Sequence, residues 1–260
     1  MDSFLVVLLV KVVSTASVVV VASVAAERLG PFWGGLVACL PVSAGPAYVL
    51  LAMQHDAAFI AGSALSSLAC GVATWAFLLT FIRLGQRYSI TPSLFGALVV
   101  WLAVAVSVRF TPWSVQGAVM INIVAFALAL KFTPVPKLGA ISSRLAQRWF
   151  ELPLRGLIVG VFVALVVSLS DAIGPMATGI AAVFPITLSS LAVIMSRSFG
   201  MAGATMALSA AVKPLIGIVI GLLVLVLSAE SLGTWSAMAL GLAASMLWPL
   251  GLILQRKLAT

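Results

Sequence analysis

The chain has 260 residues, of which 63% are hydrophobic and only 8% are charged, and its mean hydropathy is +1.27. A water-soluble domain of this length does not have such a composition, so soluble classes are excluded and most of the chain must be solvated by lipid. The apolar runs continue for about 20 residues, the length of a spanning helix, whereas strands of a membrane barrel alternate apolar and polar residues. The sequence therefore predicts an all-α integral membrane protein whose first partner is the lipid bilayer.

The net charge of +8 does not indicate a nucleic-acid partner. The 14 Lys and Arg residues are spread thinly, mostly at the ends of apolar runs, which is typical of residues that anchor and orient membrane helices. Both cysteines, Cys39 and Cys70, lie inside apolar runs and predict neither a disulfide nor a zinc site. We expect no metal and no cofactor.

From the N-terminus onward, nine apolar segments each predict a transmembrane helix: 4–26, 31–53, 57–82, 93–110, 114–132, 152–170, 175–195, 201–228 and 233–254. The first resembles a secretory signal, because Val24-Ala25-Ala26 looks like a cleavage site, but Asp2 in place of a basic cluster favours a true span. An odd number of spans puts the termini on opposite sides. One side then receives ten Lys and Arg residues and the other only Arg109, which predicts an outside N-terminus and a cytoplasmic C-terminus in a bacterial-type inner (plasma) membrane.

Two stretches of the chain repeat each other. Residues 30–43 align without gaps to residues 174–187, with Gly-Pro, Gly, Ala and Pro at the same spacings. The same offset of 144 residues pairs Lys11 with Arg155, and it pairs Glu27 with Asp171. After a one-residue slip, the third segment aligns with the eighth. Fixed spacings of Gly and Pro rarely coincide by chance, so they indicate an internal duplication.

The duplication predicts a 4 + 1 + 4 architecture. Residues 1–110 form the first four-helix repeat, residues 111–150 a linker helix followed by a basic cytoplasmic loop, and residues 151–260 the second four-helix repeat. Four spans return the chain to its starting side, so the one extra helix inverts the second repeat relative to the first. Inverted repeats of this kind occur in many secondary transporters, and they predict a pseudo-two-fold axis in the membrane plane.

Several residues of each half resemble a known family. In the first half they are Lys11 in the first span, Glu27 closing that span, the run Gly35-Leu36-Val37 with Pro41, and a third span rich in small residues. This pattern is similar to that of the GlpM-like small four-span membrane proteins. The resemblance implies a four-span unit in each half and no defined biochemical activity. It also implies that this double-length chain is an obligate antiparallel pair, where single-length relatives would dimerise.

Lys213 is the residue that most strongly indicates a binding site. It lies near the middle of the eighth segment, where a charge is costly, and Pro214 follows it and breaks the helix. Thr205, Ser209 and Lys213 recur every four residues and form one polar stripe. A cation and hydroxyls beside a helix break suit an anion at mid-membrane depth. The alternative is a structural lysine that is uncharged or paired with Asp171 or a carbonyl group.

Lys11, with Ser14 on the same helix face, predicts a second cationic pocket, although both Lys11 and its repeat mate could instead extend to the membrane interface. Pro41 and Pro185 lie in the middle of repeat-related segments and are followed by Ser43 and Thr187. Helix breaks at corresponding positions of two halves indicate a transport site, but proline also merely bends many membrane helices.

Three further features favour packing or solvation over chemistry. The stripe Gly62, Ser66 and Cys70 has the spacing of a helix-packing face. Gln116 and Asn122 in the linker helix are interpreted as interhelical hydrogen-bonding residues. The single histidine, His55, lies beside Asp56 in a short loop and is interpreted as part of a solvated turn. No constellation of an enzyme is recognised, so we expect no catalytic activity.

The leading functional hypothesis is a secondary permease that moves a small anionic or polar organic solute by alternating access between the inverted halves. The candidate substrate-binding residues are Lys213, Pro214, Ser209, Thr205, Lys11, Ser14, Pro41, Ser43, Pro185 and Thr187. The alternatives are a phospholipid or lipid-carrier translocase, a non-transporting accessory or scaffold protein, and a narrow channel. A homo-oligomer is compatible with each hypothesis.

Overall fold

The structure is a computed structural model that describes residues 12–13, 15–17, 20–21, 44–133 and 151–258. All regular secondary structure in these residues is helical. The helices are α1 (Ala44–Ala52), α2 (Ala57–Leu84), α3 (Ile90–Arg109), α4 (Val115–Phe132), α5 (Glu151–Ala182), α6 (Ile186–Ala211), α7 (Ile216–Leu232) and α8 (Thr234–Leu258). The few described residues before position 22 are helical as well.

Five stretches of the described chain are long and apolar enough to cross a membrane: Ala57–Leu84, Ile90–Arg109, Val115–Phe132, Gly156–Leu232 and Thr234–Leu252. The fourth stretch contains most of α5 together with α6 and α7. The outer helices α3, α4 and α8 turn large apolar side chains outward, and Phe95, Met120 and Leu247 are each at least 60% exposed. Because the outside of a membrane protein faces lipid, these surfaces are apolar by necessity. The predicted all-α, multi-pass membrane protein is confirmed.

Helix α2 lies at the centre of the fold and packs against α3, α4, α5 and α7. Asp56 begins it, with a carboxylate oxygen that accepts a hydrogen bond from the Phe59 amide at 2.9 Å. Small residues follow on the side that meets α5, and a methyl group added at Gly62 would lie 3.3 Å from Cβ of Pro175. Cys70 is completely buried. The interpretation of this small-residue stripe as a packing face is therefore confirmed.

The second half of the chain contains repeated helix breaks. Gly174 and Gly200 adopt positive φ angles of 75° and 72° inside α5 and α6, a backbone conformation that side chains rarely tolerate. Pro185 separates α5 from α6, and residues 212–215 form turns between α6 and α7. The breaks predicted at Pro185 and at Pro214 are confirmed. The segments predicted at 175–195 and 201–228 are accordingly each made of two helical pieces.

A helix, α4, is present where the linker helix was predicted at 114–132, and Asn122 fixes it to α2. The Asn122 amide donates to the carbonyl groups of Leu68 (2.7 Å) and Ala118 (2.8 Å), and its oxygen accepts from the Trp75 indole at 3.1 Å. Gly71 leaves the space for this amide, since a methyl group there would overlap it. The prediction that Asn122 is an interhelical hydrogen-bonding residue is confirmed, whereas Gln116 is exposed.

Close backbone contacts join helices at two places. Helices α7 and α8 approach through glycine, because a methyl group at Gly221 would lie 2.7 Å from the carbonyl oxygen of Gly241. Helix α5 approaches the N-terminal helical residues in the same way. A methyl group at Gly160 would lie 2.6 Å from the carbonyl oxygen of Val12, and one at Gly156 would lie 3.0 Å from that of Ala16. The residue numbers of the contacting positions increase along α5 as they decrease along the N-terminal segment, so these two segments are antiparallel.

Candidate functional site at the helix breaks

A cavity of about 70 Å³ lies where the breaks of the second half meet the central helix of the first half. Its walls come from the beginning of α1, the middle of α2, the break between α5 and α6, and the beginning of α7. The polar side chains in these walls are Ser67, Thr74, Trp75 and Thr187. No charged residue belongs to the lining within the described ranges.

Pro185 builds one wall of this cavity. Helix α5 ends at Ala182, and Pro185, which has no amide hydrogen, lies three residues later, directly before α6 begins at Ile186. Phe184 fixes the turn in place by packing its ring against Trp101 of α3 and Phe162 of α5, at centroid distances of 5.1 and 5.3 Å. The turn is therefore anchored on both sides, and the buried Thr187 follows it in the first turn of α6.

A chain of hydrogen bonds holds the opposite wall. The Ser67 hydroxyl donates to the carbonyl oxygen of Gly179 at 2.6 Å and lies 2.7 Å from the Tyr48 hydroxyl. Because the single proton of Ser67 is directed to the carbonyl group, Tyr48 must be the donor in the second bond. These bonds connect α1, α2 and α5 across the two halves. Ser67 therefore has a structural role, and the hydroxyl-bearing residues Thr74 and Thr187 also line the cavity.

Lys213 lies beside the cavity with its side chain directed away from it. Its neighbour Leu215 lines the cavity, while the Lys213 side chain is exposed. The backbone carbonyl group of Lys213 accepts a hydrogen bond from the Trp248 indole of α8 at 2.9 Å. Pro214 is buried. The turn at 212–215 thus shapes the cavity and presents its cation on the outer surface.

The structure brings some of the predicted site residues together and separates others. Pro185 and Thr187 meet in the cavity. Thr205 and Ser209 are partly buried outside its lining, and the Thr205 hydroxyl donates to the carbonyl group of Met201 one turn earlier at 2.9 Å. The stripe that ends at Lys213 stays a prediction. Four further candidates lie outside the described residues, namely Lys11, Ser14, Pro41 and Ser43.

A second and larger space opens between α1, α7 and α8. This groove has a volume of about 610 Å³ and is lined by apolar side chains such as Leu222, Leu225 and Met238. Gly221 and Gly241, through which α7 and α8 approach each other, also line it. Ser245 borders the groove one turn before Trp248, which contacts Lys213. The turn that carries Lys213 therefore lies close to one end of the groove.

The interpretation of His55 as part of a solvated turn was wrong. Its side chain is only 7% exposed, its ring stacks on Phe59 at a centroid distance of 3.6 Å, and its Nε2 atom lies 2.6 Å from the hydroxyl of Ser170 in α5. The partner is 115 residues away in the chain, so no local pattern indicates the contact. Only the apolar ring four residues after His55 gives a local signal for burial.

Comparisons of the chain with protein-family models, with curated proteins and with solved structures find no match. The resemblance to GlpM-like proteins therefore stays a prediction, and the functional conclusion rests on the residues and the geometry described above.

Proposed function

We propose that the protein is a secondary permease for a small anionic or polar organic solute, working by alternating access about the cavity at the helix breaks. The observation that carries the proposal is the cavity itself, where Pro185, Thr187 and the turn at 212–215 face the central helix α2. Broken helices free backbone polar groups within the membrane, and transporters use such groups to bind solutes. The walls come from both halves, so a rocking motion of one half against the other would open the cavity.

The antiparallel contacts near the N-terminus support the inversion of the two halves. With the repeat offset of 144 residues, Val12 corresponds to Gly156 and Ala16 corresponds to Gly160. Exchanging the halves converts the contact of Val12 with Gly160 into the contact of Gly156 with Ala16, and both contacts are present. Antiparallel packing always gives such reciprocity, so the contacts agree with a two-fold axis perpendicular to the helices and with the predicted inversion. Helices α3 and α8 support it too, because they begin at Ile90 and Thr234, positions separated by the same offset.

The cavity favours a solute of few atoms that carries hydrogen-bonding groups. A volume of about 70 Å³ is small, and the cavity is lined by hydroxyl groups of Thr74 and Thr187. The positive charge of the exposed Lys213 attracts anions to the neighbouring surface. The turn at 212–215 connects the two sites, because Leu215 lines the cavity two residues after Lys213.

Uptake into proteoliposomes tests the proposal. A thermal-stability screen of the purified protein against small anions and neutral polar solutes selects the candidates, since a ligand that binds only the folded state raises the apparent stability. Transport of a selected solute into the liposomes against the concentration gradient of that solute supports the permease. Failure of every stabilising solute to cross the membrane contradicts it.

Lys213→Gln is expected to reduce uptake of an anionic solute at least about tenfold, which corresponds to about 1.4 kcal/mol. The variant keeps a polar side chain of similar length and should insert and fold normally because the Lys213 side chain is exposed. Lys131→Gln at the end of α4 is the matched control, since that lysine is also exposed and does not belong to the cavity lining. Equal uptake by wild type and Lys213→Gln would show that Lys213 does not contribute to solute binding. The cavity would then still be the proposed binding site.

The large groove favours a second candidate function, a translocase for a lipid with an anionic headgroup. A volume of about 610 Å³ with apolar walls suits an acyl chain, and the nearby Lys213 suits a phosphate group. A labelled anionic phospholipid in proteoliposomes separates the two candidates. Flipping of this lipid without uptake of any soluble solute would favour the translocase over the permease.

A further inference from the structure

His55 joins the two halves of the protein through residues that no predicted site includes. It lies in the loop between α1 and α2, and its ring contacts Ser170 and Asp171 near the end of the first part of α5. The Ser170 side chain is completely buried, whereas that of Asp171 is 89% exposed. The contact therefore has a buried end inside the protein and an open end that reaches water.

The hydrogen bonds determine where the protons of this cluster lie. The Ser170 hydroxyl is 2.6 Å from the carbonyl oxygen of Val167, which can only accept, so the serine proton is directed there. The 2.6 Å contact between Ser170 Oγ and His55 Nε2 then requires that Nε2 carries a proton. The other ring atom, Nδ1, lies 3.7 Å from a carboxylate oxygen of Asp171.

A second proton on the ring changes the interaction with Asp171. In neutral His55 the lone pair of Nδ1 faces the carboxylate, and this arrangement is repulsive. In protonated His55 an N–H group with a positive charge faces it instead, and the pair attracts. Proton binding therefore strengthens the connection between the loop before α2 and helix α5. The proton can arrive from water at the exposed Asp171.

The same geometry argues against a serine nucleophile. Ser170 Oγ is buried, donates its proton to Val167 and accepts from the histidine, so the imidazole is not oriented to remove the serine proton. The arrangement has the composition of a hydrolase triad, but the direction of its hydrogen bonds is reversed. Proton binding is the chemistry that this arrangement does support.

Other charged groups at this end have different contacts. Asp56 uses a carboxylate oxygen to cap α2, and Arg109 at the end of α3 donates to the sulfur of Met176 at 3.2 Å. Helix α1 carries no charged residue. Asp171 is therefore the charged side chain that faces His55 among the described residues of the surrounding elements.

We propose that His55, Ser170 and Asp171 form a proton-binding site that closes this end of the transporter and couples solute movement to the proton gradient. The coupling rests on the proposed permease function, whereas the proton site itself does not. Opening this end of the cavity requires the loop before α2 to separate from α5, and the protonated pair opposes that separation. Loss of the proton removes this attraction and allows the loop to separate from α5.

His55→Gln tests the coupling, because the glutamine amide still donates to Ser170 but takes up no proton. In proteoliposomes we expect wild-type uptake to change at least about fivefold between pH 5.5 and pH 8, the lower end of allosteric coupling. Uptake by His55→Gln should be independent of pH over the same range, and Asp171→Asn should flatten the profile. Glu230→Gln, which removes an exposed carboxylate at the end of α7, is the control and should keep the wild-type profile.

Two transport results would overturn the coupling and leave the permease in place. One is a pH-independent wild type, and the other is a His55→Gln variant with the wild-type profile. The site itself has a test that needs no solute, because His55 is the single histidine of the chain and gives one set of imidazole nitrogen signals in a ¹⁵N-histidine-labelled sample. The neutral form should carry its proton on Nε2, and Asp171→Asn should change the pH course of the signals.

A neutral form protonated on Nδ1, or an Asp171→Asn variant whose signals follow the wild-type pH course, would overturn the proton site whether or not transport is found. If no solute is transported but the signals behave as expected, the permease proposal fails and the proton site stands. The two proposals are thereby tested separately.

Discussion

Replacing Gly179 with leucine is expected to abolish accumulation of correctly folded protein. Gly179 lies in the part of α5 that follows the Gly174 break, and it packs directly on the backbone of α2. A methyl group at this position would overlap the carbonyl oxygen of Ser63 and approach the carbonyl carbon and Cα of that residue to 2.8 and 3.0 Å. Backbone atoms of a central helix cannot move aside as a flexible side chain can, so the cost should be on the order of 3 kcal/mol or more.

The effect should extend beyond the steric overlap itself. The carbonyl group of Gly179 accepts the hydrogen bond from Ser67, and Ser67 in turn accepts from Tyr48. Displacing α5 from α2 would break both bonds in the interior, where unsatisfied polar groups are expensive. The measurement is the yield of the monodisperse species after detergent extraction, followed by its melting temperature.

Gly251→Leu is the matched control for this prediction. Gly251 lies in α8, is exposed, and has no atom within 4 Å of the place where a side chain would begin. Its variant should be extracted and melt like the wild type. Similar yields and melting temperatures for the Gly179 and Gly251 variants would show that α5 does not pack on α2 as described.

Replacing Thr187 with valine is expected to reduce solute uptake about tenfold, and the double variant with Thr74→Val should reduce it further. Valine has the shape of threonine without the hydroxyl group, so the cavity keeps its size and loses a hydrogen-bonding partner for the solute. One hydrogen bond contributes about 1 kcal/mol, and a polar group of the solute left unpaired in the cavity costs more. Initial rates of uptake in proteoliposomes measure the effect.

Thr111→Val controls for the loss of a threonine hydroxyl elsewhere. Thr111 lies in the exposed loop after α3, and its hydroxyl donates to the carbonyl group of Ser107 at 2.9 Å. Uptake by this variant should equal that of the wild type. Wild-type uptake by the Thr74 and Thr187 double variant would mean that the solute does not pass through the cavity.

Features that depend on local chemistry could be predicted from the sequence. Proline removes a backbone donor and disfavours a continuous helix, so breaks at Pro185 and Pro214 could be predicted, although Pro249 lies inside α8. Asn122 is a polar side chain within an apolar run, and its need for partners predicts its role between helices. The bounds of α4 follow from an apolar run that Ser114 begins, with a hydroxyl that accepts from the Gly117 amide at 3.1 Å.

Features that depend on tertiary contacts could not be predicted. Glycine tolerates both helical and left-handed backbone, so only the packing of the pieces determines that Gly174 and Gly200 break their helices while Gly203 does not. The direction of Lys213 is another example. The spacing of Thr205, Ser209 and Lys213 predicts a common polar stripe, but the rest of the segment is apolar and does not indicate whether that stripe faces the cavity or the outside.

Accessibility of the cavity from the two sides of the membrane tests alternating access most directly. Val183 lines the cavity in the break between α5 and α6, so Val183→Cys is introduced after both native cysteines, Cys39 and Cys70, are replaced with alanine. A membrane-impermeant thiol reagent is then applied to vesicles of each orientation. We predict that the cysteine reacts from both sides and that a transported solute slows both reactions. Reaction from one side alone, or from neither side, would contradict a cavity that opens alternately between two inverted halves.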